Sequence, residues 1–133
     1  MGPSVWAVAL LALVPCLLVA QDSAKYRACN EKAVAQLELN ACASDESYRV
    51  DTELNRVYRE LLSKNRDDPA AVEKIKKAQR AWVAYRDAYL EAMFPAEDKL
   101  AEYGSMYGME VDLLLAKLTR RQIDALKELM QGR

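Results

Sequence analysis

The chain has 133 residues, with 19 basic and 20 acidic side chains, no histidine and three cysteines. That length fits one domain, and the missing imidazole excludes Ser-His-Asp and Cys-His catalysis together with most zinc and iron sites. A net charge of −1 gives no overall attraction to phosphate backbones, and four glycines and four prolines are too few turn formers for a many-stranded β-fold or a glycine-rich phosphate loop.

Met1 to Ala20 carries no charge, and 16 of its 20 residues are apolar. An apolar run from Val5 to Val14, a break at Pro15 and a short segment ending at Ala20 have the layout of a secretory signal, residues 1–20, cut after Ala20. No Lys or Arg precedes the run, so the α-amine supplies its only positive charge. As a membrane anchor the run would reach about 18 residues only by counting through Pro15, the lower limit of a span. Cleavage is therefore favoured, and the protein meets the membrane only through the signal. Cys16 follows Leu13-Val14-Pro15, where an acylated lipoprotein cysteine would follow a small residue, so it leaves with the signal.

The mature domain, 21–133, is 47% apolar, since 53 of its 113 residues are AVILMFWYC; this is ordinary for a globular domain. No glycine or proline occurs between Gln21 and Asp68. From Ser44 to Asn65, Val50, Leu54, Val57 and Leu61 recur at the helical spacing, widened by Tyr58 and Leu62, with Arg49, Glu53, Arg56 and Glu60 away from the stripe. Asp67-Asp68-Pro69 places an acidic cap before a proline suited to a first helical turn. Ala71, Ile75, Ala78, Trp82, Tyr85 and Tyr89 continue the helical period until Pro95. Pro95 to Gly108 reads as one long irregular stretch with room for a helical turn. A last helix runs from about Met109 to Met130, with Leu114, Leu118, Ile123, Leu126 and Met130 inward. The fold class is all-α, a small bundle of three to four helices with one N-terminal disulfide.

With Cys16 gone, Cys29 and Cys42 are the two remaining thiols, and a disulfide is their default in an oxidising compartment. One continuous helix would hold their Cα atoms about 20 Å apart, whereas a disulfide needs roughly 7 Å or less. Either the chain reverses near Val34 to Gln36 or both cysteines stay reduced. The reversal is the preferred reading.

The ordered set Cys29, then Gln36-Leu-Glu-Leu-Asn40-Ala-Cys42-Ala43, then Tyr48, Asp51, Leu54-Asn55 and Tyr58, then Ala78-Gln79-Arg80-Ala81-Trp82-Val83-Ala84-Tyr85-Arg86-Asp87-Ala88 resembles the LprI-type lysozyme inhibitor family of secreted bacterial proteins. The likeness runs from Cys29 to about Thr119. It implies a compact all-α envelope or secreted domain, with lysozyme inhibition known for the family's namesake. Two departures stand out. Tyr89 and Leu114 occupy places where relatives carry a second cysteine pair, and Ala35 stands where a threonine often caps the helix before Gln36, which weakens that start by about 1 kcal/mol.

Asp51, Asn55 and Tyr58 share one helical face, and Gln79, Trp82 and Arg86 share another. They could form a polar ligand site between the helices. The favoured reading is an interhelical hydrogen-bond and ion-pair network, Asp51 with Arg86 for instance, since each group has a complement. No carboxylate pair stands out for glycan hydrolysis, and the Glu97-Asp98 and Glu110, Asp112 spacings do not match a calcium loop. No enzymatic activity, cofactor or metal is expected.

Residues 74–86 carry Lys74, Lys76, Lys77, Arg80 and Arg86 without an acid, a local +5. Residues 87–112 carry seven acids against Lys99, a local −6. Charge runs are usually solvated faces. The sharper reading is that Asp98, Glu102, Tyr103 and Tyr107 present an acidic, aromatic binding loop, which a basic lysozyme would attract. The expected function is a secreted or periplasmic protein-binding inhibitor of lysozyme acting by occlusion. The alternative is a non-catalytic envelope interaction or adaptor protein with another partner. Membrane-surface binding through the 74–86 face is a weaker third reading, because that face lacks bulky apolar residues.

Overall fold

A computed structural model describes residues 22–132, so the expected signal at 1–20 lies outside the described residues. Ser23 opens the first helix: its backbone is extended and its hydroxyl accepts from the Tyr26 amide at 3.1 Å. Helix α1 spans Ala24–Lys32 and ends where Ala33 returns to extended geometry. The chain reverses through Ala33–Ala35, and α2 then runs unbroken over Gln36–Lys64. It starts eight residues before the Ser44 expected from the apolar stripe. The Cys29–Cys42 bond is present, with its Cα atoms 5.7 Å apart. The reversal satisfies the geometric demand of the disulfide, and α2 can form without a break.

Ala35 offers no side-chain acceptor to the start of α2. Glu38 reaches back instead, accepting from the Val34 amide at 2.7 Å and the Ala35 amide at 3.3 Å. Half of a capping box is thus in place, and the half a hydroxyl would supply is missing. The next start follows the sequence closely: Asp68 accepts from the Ala71 amide at 2.9 Å, and Pro69 begins α3, Pro69–Met93.

The Pro95–Gly108 stretch is more ordered than expected. Asp98 caps a short α4, Lys99–Tyr103, by accepting from the Ala101 amide at 2.9 Å. Gly104 then takes φ +68°, a backbone geometry that favours glycine. A 3₁₀ turn over Gly104–Met106 leads into α5, Tyr107–Gln131. What organises this corner is aromatic packing. The rings of Phe94, Tyr103 and Tyr107 lie 5.2 to 5.8 Å apart, and Phe94 is buried. Such rings add contact energy beyond their buried area.

The long helices α2 and α5 run parallel and form the spine. Asn40 on α2 reaches the Ser105 carbonyl at one end, Glu46 meets Arg120 in the middle, and Glu53 lies 4.0 Å from Lys127 further along. Helix α3 is the crossover that returns the chain between them, antiparallel to both, and Gln79 bonds Gln122 at 2.8 Å. The main core is Val50, Leu54, Val57 and Leu61 from α2 against Ala116, Ile123 and Leu126 from α5, flanked by Tyr58, Ile75, Trp82 and Met130. Each fully buried branched side chain contributes roughly 1.5–3 kcal/mol relative to exposure. A smaller cluster of Tyr26, Cys42 and Ala43 holds α1 to the spine.

Helix α3 contains no fully buried residue. Its apolar stripe touches one flank of the α2–α5 pair, and Tyr85, expected inward, is 55% exposed beside Tyr89. The spacing located the stripe correctly; a two-helix spine leaves part of it uncovered. Among the described residues there is no strand, and no helix is long and apolar enough to cross a membrane. The architecture is an all-α bundle of three long helices and two short ones, with one disulfide near the start of the described residues.

Candidate functional site

One end of the bundle gathers the start of α2, the end of α3, all of α4 and the start of α5. Asp98, Glu102, Tyr103 and Tyr107 all lie in this corner, but they do not share one role. Asp98 is committed as the α4 cap, and Tyr103 accepts from the Ala96 amide at 3.2 Å. Tyr103 and Tyr107 are half-buried against Phe94 rather than displayed, because the aromatic cluster supplies this corner with its own small core. Glu102 is exposed.

The cation of this acidic stretch is engaged within the corner itself. Lys99 bonds Glu91 at 2.8 Å and also donates to the Phe94 carbonyl. The hydrogen bond to Glu91 holds the ammonium above its ordinary pKa. Glu97, Glu102 and Glu110 remain exposed around it. The same end carries exposed apolar side chains that the charge pattern did not reveal. Leu37 is 79% and Leu100 69% exposed, and Val34, Met93 and Met106 also face solvent. Val34 sits in the reversal, and Leu100 and Met106 lie in a short helix and a 3₁₀ turn, too brief for periodicity to assign a face; Leu37 and Met93 lie at helix ends, beyond the apolar stripes of α2 and α3. The head of the bundle thus displays both apolar side chains and carboxylates to solvent.

The six polar residues do not form one network. Asn55 donates to both the carbonyl and the carboxylate of Asp51 at 3.0 Å, within α2. Tyr58 packs on the main core. Gln79 makes the bond to α5 already described. Arg86 lies over the Trp82 ring, 5.4 Å from its centroid, and pairs with its neighbour Asp87 at 2.7 Å. The expected Asp51–Arg86 ion pair is not made, because the adjacent carboxylate captures the guanidinium first. Asp51 and Arg86 nonetheless line one recess of about 320 Å³ between α2, α3 and α5, with Tyr48, Asp112 and Thr119. Burial pushes the Asp112 carboxyl above the ordinary carboxylate range.

A more connected polar node escaped the sequence reading. Glu46 is fully buried. It accepts from the Ser23 amide at 3.0 Å, the Ser23 hydroxyl at 2.6 Å, Arg49 at 2.6 Å, and Arg120. Burial pushes this carboxyl up, but the bonds from Ser23 and Arg49 and the charge of Arg120 outweigh it and hold it below the ordinary value. The signal was present but faint: Glu46 precedes Val50 by four residues, so it continues the apolar stripe with a carboxylate.

Comparison with known proteins agrees with this architecture. A family model described as "Lysozyme inhibitor LprI" matches residues 29–126. An uncharacterized protein of Rhizobium meliloti (strain 1021) is 42% identical over 113 residues, covering 76% of this chain and 78% of the relative. No solved structure matches.

Proposed function

The chain belongs to the LprI lysozyme inhibitor family, and from that premise we propose that it is a secreted or periplasmic protein that binds lysozyme and inhibits it by occlusion, without chemistry of its own. The observation that carries this reading is the head of the bundle, where Leu37, Leu100 and Met106 are exposed at the same end as the exposed carboxylates Glu97, Glu102 and Glu110. Exposed apolar patches rimmed by polar groups mark interaction surfaces. Acidic rims steer basic partners and set their orientation, and lysozymes are commonly basic. The apolar centre would exclude water at the contact, and the carboxylates would select the partner.

A turbidity assay of cell-wall lysis, run with mature protein from residue 21 onward, tests the proposal. The expected result is protection at equimolar inhibitor that weakens as salt is raised. Leu37→Ser with Leu100→Ser should abolish protection, and Glu97→Gln, Glu102→Gln and Glu110→Gln together should slow association, with helicity unchanged in both variants. No protection against any of several lysozyme classes at excess inhibitor would overturn the reading and favour an envelope adaptor with another partner.

A further inference from the structure

We infer that the outward face of α3 pairs two copies of this chain, antiparallel across a two-fold axis at Ala84. This surface lies on the flank of the bundle and does not depend on lysozyme inhibition. The spine packs against one side of α3 alone, and no residue of α3 is fully buried. On the opposite side Lys77, Ala81, Ala84, Ala88 and Glu91 follow at steps of four, three, four and three, so they form one row along the helix, and all five are exposed. Tyr85 stands beside this row, 55% exposed. The middle of the row is uncharged, and its two ends differ in sign. Lys74, Lys77 and Arg80 precede Ala84 and have no acid within ion-pair distance among the described residues. Asp87 and Glu91 follow it. Each holds a cation of its own chain, Arg86 and Lys99, yet their side chains stay 59% and 72% exposed and can accept a second donor.

This order of charges selects a second copy as the occupant. Lys77 and Glu91 stand seven residues to either side of Ala84, with Arg80 four residues before it and Asp87 three after. A second α3 laid antiparallel, Ala84 against Ala84, brings Lys77 to Glu91 of the second copy and Arg80 to its Asp87. The two-fold repeats both pairs, as an isologous contact requires. A parallel arrangement would set Lys77 against Lys77 and Glu91 against Glu91, and repulsion disfavours it. A partner of a single charge sign would satisfy one half of the row and be repelled by the other. Alanine at the centre lets the two backbones approach toward the short end of the usual spacing, about 8 Å between axes. The 25 residues of α3 span about 37 Å. One helix pair of that length buries less than about 1,200 Å², the class of weak, reversible interfaces. A dimer built this way carries its two heads at opposite ends.

Sedimentation equilibrium of the mature protein from about 1 µM to about 1 mM tests this. A reversible monomer–dimer equilibrium is expected, and it should shift toward monomer as salt is raised. Ala84→Glu sets two carboxylates against each other at the axis and should abolish the dimer, and Tyr85→Ser should weaken it about tenfold. Lys77→Glu and Glu91→Lys should each weaken self-association about tenfold or more. An equimolar mixture of those two variants should recover the native affinity, because each supplies the charge that the other lacks. Monomer alone over the whole range, a dimer that Ala84→Glu leaves intact, or a mixture no tighter than its two components would each overturn the proposal. All four substitutions fall at exposed helical positions, and far-UV circular dichroism keeps loss of fold apart from loss of pairing.

Discussion

Replacing Glu46 should damage the fold more than any other single change to a polar side chain. Its carboxylate is fully buried and takes four donors, two from Ser23, one from Arg49 and one from Arg120. Glu46→Ala strands all four. The Arg120 side chain is 17% exposed and that of Arg49 34%, so water cannot fully rescue either guanidinium. Removing one partner of a buried pair costs about 3–5 kcal/mol. Partial access of solvent to the arginines puts the expected loss near the lower bound, about 3 kcal/mol. Glu46→Gln keeps one acceptor but points an amide N–H₂ at donors, and should cost about 2 kcal/mol. Small domains have about 5–15 kcal/mol in total, so urea denaturation followed by circular dichroism will resolve both, with unchanged m-values. The pH dependence supplies a second check. The folded-state pKa of Glu46 lies below its ordinary value, so the carboxylate contributes stability above the unfolded pKa of about 4.3. That stability is lost as pH falls through the folded value, and the gap between the native chain and Glu46→Gln should close in acid. A cost below about 1 kcal/mol for Glu46→Ala, or a gap that does not narrow at all as the solution is acidified, would refute the reasoning.

Three smaller perturbations test other parts of the architecture. Cys29→Ser with Cys42→Ser opens a loop whose ends are 13 residues apart in sequence, and should lower stability by about 3 kcal/mol, read as a fall in the urea midpoint. Ala35→Thr places a hydroxyl at an extended N-cap that lacks a side-chain acceptor, and should raise the midpoint by about 1 kcal/mol equivalent. Asp112→Asn should raise the urea midpoint slightly at neutral pH, because burial raises the folded-state pKa of this carboxyl. Such a group favours the fold while protonated and loses that contribution as pH rises through the folded value, so the gain from Asn should disappear in acid.

The helices were legible wherever one side of the chain faces a core. Val50, Leu54, Val57 and Leu61 announced the buried face of α2, and Asp68-Pro69 announced the start of α3, because both signals are local. The reversal at Ala33–Ala35 was legible only through the distance demanded by Cys29 and Cys42, since no glycine or proline marks it. Two kinds of feature stayed hidden. The parallel pairing of α2 with α5 depends on contacts such as Glu46 with Arg120, separated by 74 residues, and no window of periodicity reports a partner so distant. The fate of Arg86 was decided by competition: Asp87 is adjacent and always within reach, whereas Asp51 must be brought there by packing. The acidic stretch was legible as charge, but its tyrosines were read as displayed because their partner Phe94 precedes them across Pro95.

Where the fold holds the chain most firmly bears on where it can act. The disulfide, the Glu46 node and the Tyr26 cluster all tie α1 to one side of the spine, and the main core lies toward the far half of α2 and α5. At the head, the Cys29–Cys42 bond braces the reversal and the start of α2, but no disulfide joins α3 or α4 to the rest among the described residues. The order of that corner comes from the Phe94 cluster, the Asp98 cap and the contact of Asn40 with Ser105. The aromatic cluster packs the end of α3 against α4 and the start of α5 without a crosslink. The core and the Glu46 node thus fix the spine, while Leu37, Leu100 and Met106 are exposed at the head before any partner arrives, the arrangement that the proposed occlusion requires.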